Sequence, residues 1–147
     1  MNIIEYNFEH YKSLAPNLYR KEKYNLQVEL LKLQEDVIKN KRQIAFCFEG
    51  RDTACKSSTI NFFSEHLIPS NFDYVHLGIP TSYEKRNWFR RWSKHLPKAG
   101  KIVLFDRSWY TRALIEPTLG YCTKLQYEDF MTKVNDWEKK LIKNGTE

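Results

Sequence analysis

No apolar run in this 147-residue chain approaches the roughly 18 residues that a membrane-spanning helix needs. The opening residues, MNIIEYNFEHYKS, carry two acidic side chains and no apolar stretch ending in a small-residue cleavage site, so no secretory leader is expected. Cysteine is scarce and odd in number. Cys47, Cys55 and Cys122 form neither a disulfide framework nor a CxxC metal pair, which points to a reducing cytoplasm. Internal repeats, low-complexity tracts and linkers rich in Pro, Gly and Ser are also missing, so residues 1–147 read as one domain. The apolar and charged fractions, 41% and 29%, are those of an ordinary globular chain and argue against disorder.

Positive charge is in excess. The formal net charge is +6, which suggests an anionic partner, and its distribution is uneven. Lys85, Arg86, Arg90, Arg91 and Lys94 are interleaved with Trp88, Phe89 and Trp92. Arg86, Arg90, Arg91 and Lys94 suit a polyanion. Tryptophans on one helical stripe are more often core than base-stacking platforms, so nucleic acid is not the expected partner.

Hydrophobic spacing outlines an alternation of helices and strands. Residues 1–20 read as an irregular lead-in, after which Leu26, Leu30, Leu33 and Val37 form one stripe of an amphipathic helix. Ile44–Phe48 is a short continuous apolar run, the pattern of a strand buried on both faces of a parallel sheet. Gly50–Ser58 reads as a turn and Thr59–Leu67 as the helix behind it. Tyr74–Leu77 is a second strand, and Tyr83–Leu96 a helix with Trp88, Phe89, Trp92 and Leu96 on one face. Ile102–Phe105 is a third strand ending at Asp106. Thr123 and Gln126 make a capping box that opens a helix through Tyr127, Phe130, Val134, Trp137 and Leu141 to Gly145. This order predicts an α/β fold with a parallel sheet and right-handed crossovers.

Gly50–Ser57 lies between a buried strand and a helix and fits G-x-x-x-x-G-K-[ST], except that Cys55 stands where the second glycine belongs. Such a loop aims successive backbone N–H groups and a helix N-terminus at phosphate oxygens, while the lysine adds a mobile charge and the hydroxyl reaches a metal. Asp106, at a strand end about fifty residues on, is where a Mg²⁺-holding carboxylate is expected. Cys55 is the misfit. A glycine there serves positive φ or close approach to phosphate, and a side chain forced left-handed costs roughly 1–2 kcal/mol. A catalytic thiol at a helix N-terminus is the other reading of Cys55, but no histidine is spaced as its base.

These blocks resemble a family, polyphosphate kinase type 2. Its members show Glu-Gly-Arg-Asp-Ala-Ala-Gly-Lys-Gly-Gly-Thr-Ile where this chain has Glu49-Gly50-Arg51-Asp52-Thr53-Ala54-Cys55-Lys56-Ser57-Ser58-Thr59-Ile60. Their apolar-Phe-Asp-Arg-Ser-Trp-Tyr-Asn-Arg block is similar to Leu104-Phe105-Asp106-Arg107-Ser108-Trp109-Tyr110-Thr111-Arg112. Pro80-Thr81, Arg91, His95-Leu96-Pro97 and Gly120-Tyr121-Cys122-Thr123 also fall in family positions. The likeness runs from about Leu18 to Gly145.

The resemblance implies a three-layer α/β/α P-loop kinase-like fold, incomplete at the C-terminus. It implies Mg²⁺-dependent phosphoryl transfer between inorganic polyphosphate and ADP, GDP or AMP, or from ATP or GTP in reverse, by a cytoplasmic homo-oligomer. Carried over by position, Lys56 and the loop Gly50, Arg51, Thr53, Ala54, Cys55, Ser57 and Ser58 hold phosphates. Asp52 and Asp106 organise Mg²⁺, Arg107 and Arg112 neutralise transition-state charge at the start of a lid, and Arg91 binds the polyanion or nucleotide phosphates. The departures are Cys55, Ser57 and Ser58 for glycines, Ile79 for a lysine and Thr111 for an asparagine; relatives also continue past this point. The alternatives are a non-catalytic polyanion binder and an inactive, truncated remnant. The family's sheet order resembles 2-3-1-4-5, so with three strands Ile44–Phe48 is expected at an exposed edge, inviting a dimer.

Overall fold

Ile102–Phe105 carries no polar side chain, and a strand of that kind is stable only where both its faces are covered. The computed structural model, which describes residues 15–147, places it at the centre of the sheet. The chain forms α1 (Pro16–Asn40), β1 (Gln43–Phe48), α2 (Lys56–Ser64), a 3-10 turn (Pro69–Asn71), β2 (Phe72–Val75), α3 (Ser82–Arg86), α4 (Trp88–Ser93), β3 (Lys101–Asp106), α5 (Thr111–Leu114) and α6 (Lys124–Lys143). The strands are parallel in the order β1-β3-β2, with Ile44 and Phe72 both opposite Ile102.

Strand alternation then sorts the core into two layers. Ile102 and Leu104 meet Val37 of α1, Ile44 of β1 and Ile60 of α2 on one face. Val103 and Phe105 meet Trp88, Trp92, Trp109, Phe130 and Val134 on the other. The second layer is aromatic: Phe105 makes edge contacts with Trp92 and Trp109, and Phe89 stacks on Phe130 at 5.6 Å. Each such pair is worth about 0.5–1.5 kcal/mol beyond buried area. Helices on both faces of a parallel sheet give the α/β/α arrangement expected of the sequence.

Several local expectations are corrected. Residues 16–20 are helical, begun by Pro16 at a position where its missing N–H costs nothing; the lead-in before residue 15 lies outside the described residues. The stripe of α1 is rotated. Leu26 is 65% exposed, whereas Gln27 and Gln34 face inward. Gln34 donates to Ile68 O (3.0 Å) and accepts from Ile68 N (2.6 Å), and Gln27 donates to Phe62 O (3.1 Å), so these amides knit α1 to the segment after β1. α2 begins at Lys56 rather than Thr59, and β2 spans Phe72–Val75 rather than Tyr74–Leu77.

The long helix expected over Tyr83–Leu96 is broken at Asn87, whose φ of −120° and ψ of 53° leave the helical region. Its side chain donates to Tyr83 O (3.0 Å), the local competition that makes asparagine a poor interior helix residue. α4 consequently turns Trp88, Arg91 and Trp92 inward together. The capping box at Thr123 and Gln126 is present, and a second one, Thr81 with Glu84, opens α3.

β1 stands at the edge of the three strands. Its outer side is met by Glu147, which donates to Gln43 O (2.8 Å) and accepts from Ala45 N (2.9 Å). Among the described residues no helix is long and apolar enough to cross a membrane.

Candidate active site

The end of β1 delivers the chain into a loop that must turn sharply back into α2. Gly50 takes φ 156°, a conformation that L side chains rarely adopt, and a Cβ there would sit a tight 3.2 Å from the Ala54 Cβ, so both backbone and space favour glycine. Thr53 (φ 65°) and Cys55 (φ 54°, ψ 24°) both adopt the left-handed region. The Cys55 position therefore has the backbone that a glycine normally supplies, and the chain holds a side chain there at some cost. Lys56 opens α2 and folds over the loop, donating to Gly50 O (3.1 Å) and Arg51 O (2.8 Å). A cleft of about 320 Å³ is lined by Asp52, the loop through Ser58, His76, Asp106 and Arg107.

Asp106, at the end of β3, is 5% exposed. Its Oδ2 accepts from Ser57 Oγ (2.9 Å), on the first turn of α2, and from Tyr74 Oη (3.0 Å) on β2. Burial, reinforced by this bond to Asp106, pushes the Tyr74 phenol above its ordinary value. His76 Nδ1 lies 3.9 Å from the same carboxylate oxygen. Sequence reasoning paired the loop with Asp106 but missed Tyr74 and His76. Their link to Asp106 depends on β2 lying beside β3, and no local pattern announces that pairing.

Arg107 follows with φ 67°, its N–H donating to Phe48 O (3.0 Å) and its guanidinium paired with Asp52 across the cleft. Behind it, Glu49 Oε1 accepts from both N and Oγ of Ser108 (2.6 Å each), tying β1 to the segment after β3. Burial raises the Glu49 carboxyl, with the Ser108 bonds opposing. Burial also pushes the Cys47 thiol up to about 12, which makes it inert.

A second cleft of about 410 Å³ shares Asp52, His76, Asp106 and Arg107 with the first and continues between apolar walls that include Ile79, Pro80, Trp88 and Ile115. Arg91 lines it but is 4% exposed, and its guanidinium donates to Leu77 O (3.0 Å) and Gly78 O (2.7 Å). Arg112 is 2% exposed, 4.1 Å over the Trp88 ring, with Nε 2.7 Å from Glu116 Oε2. The structure thus brings together Gly50, Arg51, Asp52, Thr53, Ala54, Cys55, Lys56, Ser57, Ser58, Asp106 and Arg107. It sets Arg91 into the wall of the second cleft and buries Arg112 outside the lining of both clefts. Glu116, also missed from sequence, is 2% exposed and held above the usual carboxylate range by burial against the pull of Arg112.

Comparison with known proteins covers nearly all of this geometry. The family model for polyphosphate kinase 2 (PPK2) matches residues 13–147. A GDP-polyphosphate phosphotransferase of Pseudomonas aeruginosa is 43% identical over 140 residues, 95% of this chain and 39% of that protein. An ADP-polyphosphate phosphotransferase of the same organism is 41% identical over 133 residues, 90% of this chain and 44% of that one. The chain therefore spans about two-fifths of the length of these curated relatives. A crystal structure of a polyphosphate kinase 2 from Pseudomonas aeruginosa PA01 superposes with a TM-score of 0.83 at 28% identity, covering 92% of this chain and 30% of that one. The polyphosphate kinase 2 of Arthrobacter aurescens TC1 shares the fold, with a TM-score of 0.82 at 22% identity over 99% of this chain and 56% of its own. Since one family model accounts for the phosphate loop, the aspartate facing it and the helices behind both, this chain belongs to the polyphosphate kinase 2 (PPK2) family.

Proposed function

We propose that this protein transfers phosphoryl groups between inorganic polyphosphate and a nucleoside di- or monophosphate, with Mg²⁺ as cofactor. The observation that carries the reading is the 2.9 Å contact between Ser57, at the start of the helix behind the phosphate loop, and the buried Asp106. Octahedral Mg²⁺ with ligands at about 2.0–2.1 Å sets neighbouring ligand oxygens about 3 Å apart, so this hydroxyl and carboxylate already have the spacing the ion requires. Asp52 adds an exposed carboxylate on the same cleft. When bound, the ion neutralises charge on the phosphate oxygens.

The chain's own residues supply the rest. Loop amides and Lys56 offer donors to a phosphate, a stronger and charge-matched acceptor than the carbonyls of Gly50 and Arg51 that Lys56 now holds. Arg107 reaches over both clefts and is placed to neutralise the group in transit. Arg91 fixes the Leu77–Gly78 wall of the second cleft, where the acceptor would lie. Arg112 supports Trp88 from behind, and to meet a phosphate it would have to exchange Glu116 for it.

Calorimetry with tripolyphosphate and ADP, with and without Mg²⁺, tests the site. Lys56→Ala should weaken tripolyphosphate binding at least about tenfold, the loss of a charge-assisted contact worth roughly 1.5–3 kcal/mol. Luciferase detection of ATP formed from ADP and polyphosphate tests the reaction. Equal affinity of the wild type and the Lys56 variant would remove the phosphate loop from the reading.

A cytoplasmic homo-oligomer is part of the same proposal. Glu147 exchanges hydrogen bonds with Gln43 and Ala45, so β1 is paired on its outer side as well as by β3. A single-chain mass by light scattering across a concentration series would overturn the oligomer.

A further inference from the structure

Lys85 and Trp88 line the second cleft and also a third, of about 510 Å³, which opens between α3–α4 and α6. Its charge is one-sided. Lys85, Arg86, Arg90, Arg112 and Lys133 line it with a single carboxylate, Asp129. Lys133 pairs with Asp129, and Arg112 with Glu116, which lines the second cleft instead. Among the described residues Lys85, Arg86 and Arg90 make no ion pair, and Arg86 and Arg90 are exposed. Arg112 is 2% exposed, and its guanidinium donates to Lys85 O (3.3 Å), which pins the end of α3 to α5. Like charges gathered in a concave surface repel one another, and its low-dielectric walls focus their field on an entering anion.

The rings in the lining are already used. Trp88 is 7% exposed with Arg112 4.1 Å over its ring, and Phe89 packs on Phe130 and on Trp137. A base would find no free face to stack on, so the cleft suits a chain of phosphates better than single-stranded nucleic acid. We propose that this third cleft is a second polyphosphate site, holding a distant stretch of the chain while the reacting end lies at the phosphate loop. The proposal rests on the reading of polyphosphate as substrate. Lys85, shared by the second and third clefts, makes the two surfaces continuous. A chain gripped at both points rebinds as an intramolecular event, so long chains gain over short ones through effective concentration.

Long-chain polyphosphate and tripolyphosphate are titrated into the full chain by calorimetry without Mg²⁺, across a salt series. Arg86→Gln combined with Arg90→Gln removes two exposed charges and should leave the unfolding midpoint unchanged. This double variant should bind long-chain polyphosphate at least about tenfold more weakly, the loss of charge-assisted contacts, with tripolyphosphate moving far less. The slope of log affinity against log salt for the long chain should shrink by about 1.4, at about 0.7 per cation for a single-stranded polyanion. Unchanged long-chain affinity overturns the second site. An equal loss for both lengths overturns its separateness from the phosphate loop. If Lys56→Ala has no effect on tripolyphosphate while the double variant still loses the long chain, the loop assignment fails and the third cleft stands. An oligothymidylate that binds as tightly as long-chain polyphosphate, and is weakened equally by the double variant, overturns polyphosphate as the occupant in favour of nucleic acid.

Discussion

Replacing Cys55 by glycine tests whether the phosphate loop stores backbone strain. Cys55 sits at φ 54° and ψ 24° immediately before α2. A Cβ in that region costs about 1–2 kcal/mol. Glycine removes the cost but loses about 0.4–1 kcal/mol through its greater freedom in the unfolded chain. The net expectation for Cys55→Gly is a stabilisation of about 0.5–1 kcal/mol, the difference of those two effects. The thiol makes only a 3.7 Å contact to Thr53 O, so its removal should matter little. Cys55→Ala isolates that contribution, since alanine keeps the Cβ and loses the sulfur. Denaturant unfolding of all three proteins is the assay, with the alanine variant close to wild type and the glycine variant more stable than both. Calorimetry with tripolyphosphate should show tighter binding by the glycine variant, because backbone approach is freed. A glycine variant less stable than the alanine variant would refute the reasoning, for it would mean that residue 55 is not left-handed in solution.

Gln34→Leu should destabilise by about 1–3 kcal/mol in denaturant unfolding, since the N–H and C=O of Ile68 lose their partner, and an unchanged midpoint would show that water replaces it. Ile79 is 88% exposed at the rim of the second cleft, so Ile79→Lys should fold normally and add a cation there. Nucleotide affinity should rise severalfold at low ionic strength and the gain should shrink with salt, as for any solvent-exposed charge. A gain that persists at high salt, or no gain at all, would count against that placement of the acceptor.

The parts of this protein legible in its sequence are those whose physics is local. A glycine crowded by its own loop, a lysine opening a helix and an apolar run ending in aspartate each need only a few neighbouring residues to declare themselves. The loop from Gly50 to Ser57 and the strand ending at Asp106 were accordingly readable, as were the capping box at Thr123 and the layered α/β order. The break at Asn87 was carried locally as well, but the apolar spacing through Trp88, Trp92 and Leu96 outweighed the asparagine. Other features depend on which element comes to rest beside which. Gln27 and Gln34 could turn inward only because the chain after β1 returns under α1 and offers them carbonyls. Tyr74 and His76 reach Asp106 because β2 pairs with β3 while β1 takes the far side. Arg112 looks in the sequence like a free cation beside the active-site block, yet α4 brings Trp88 over it and α5 leads on to a buried Glu116. Hydrophobic periodicity records how strongly each residue avoids water, but a buried polar group is decided by its partner. The partners of Gln27 and Gln34 lie 34 to 38 residues away along the chain and Tyr74 lies 32 from Asp106, and the fold alone brings them into contact.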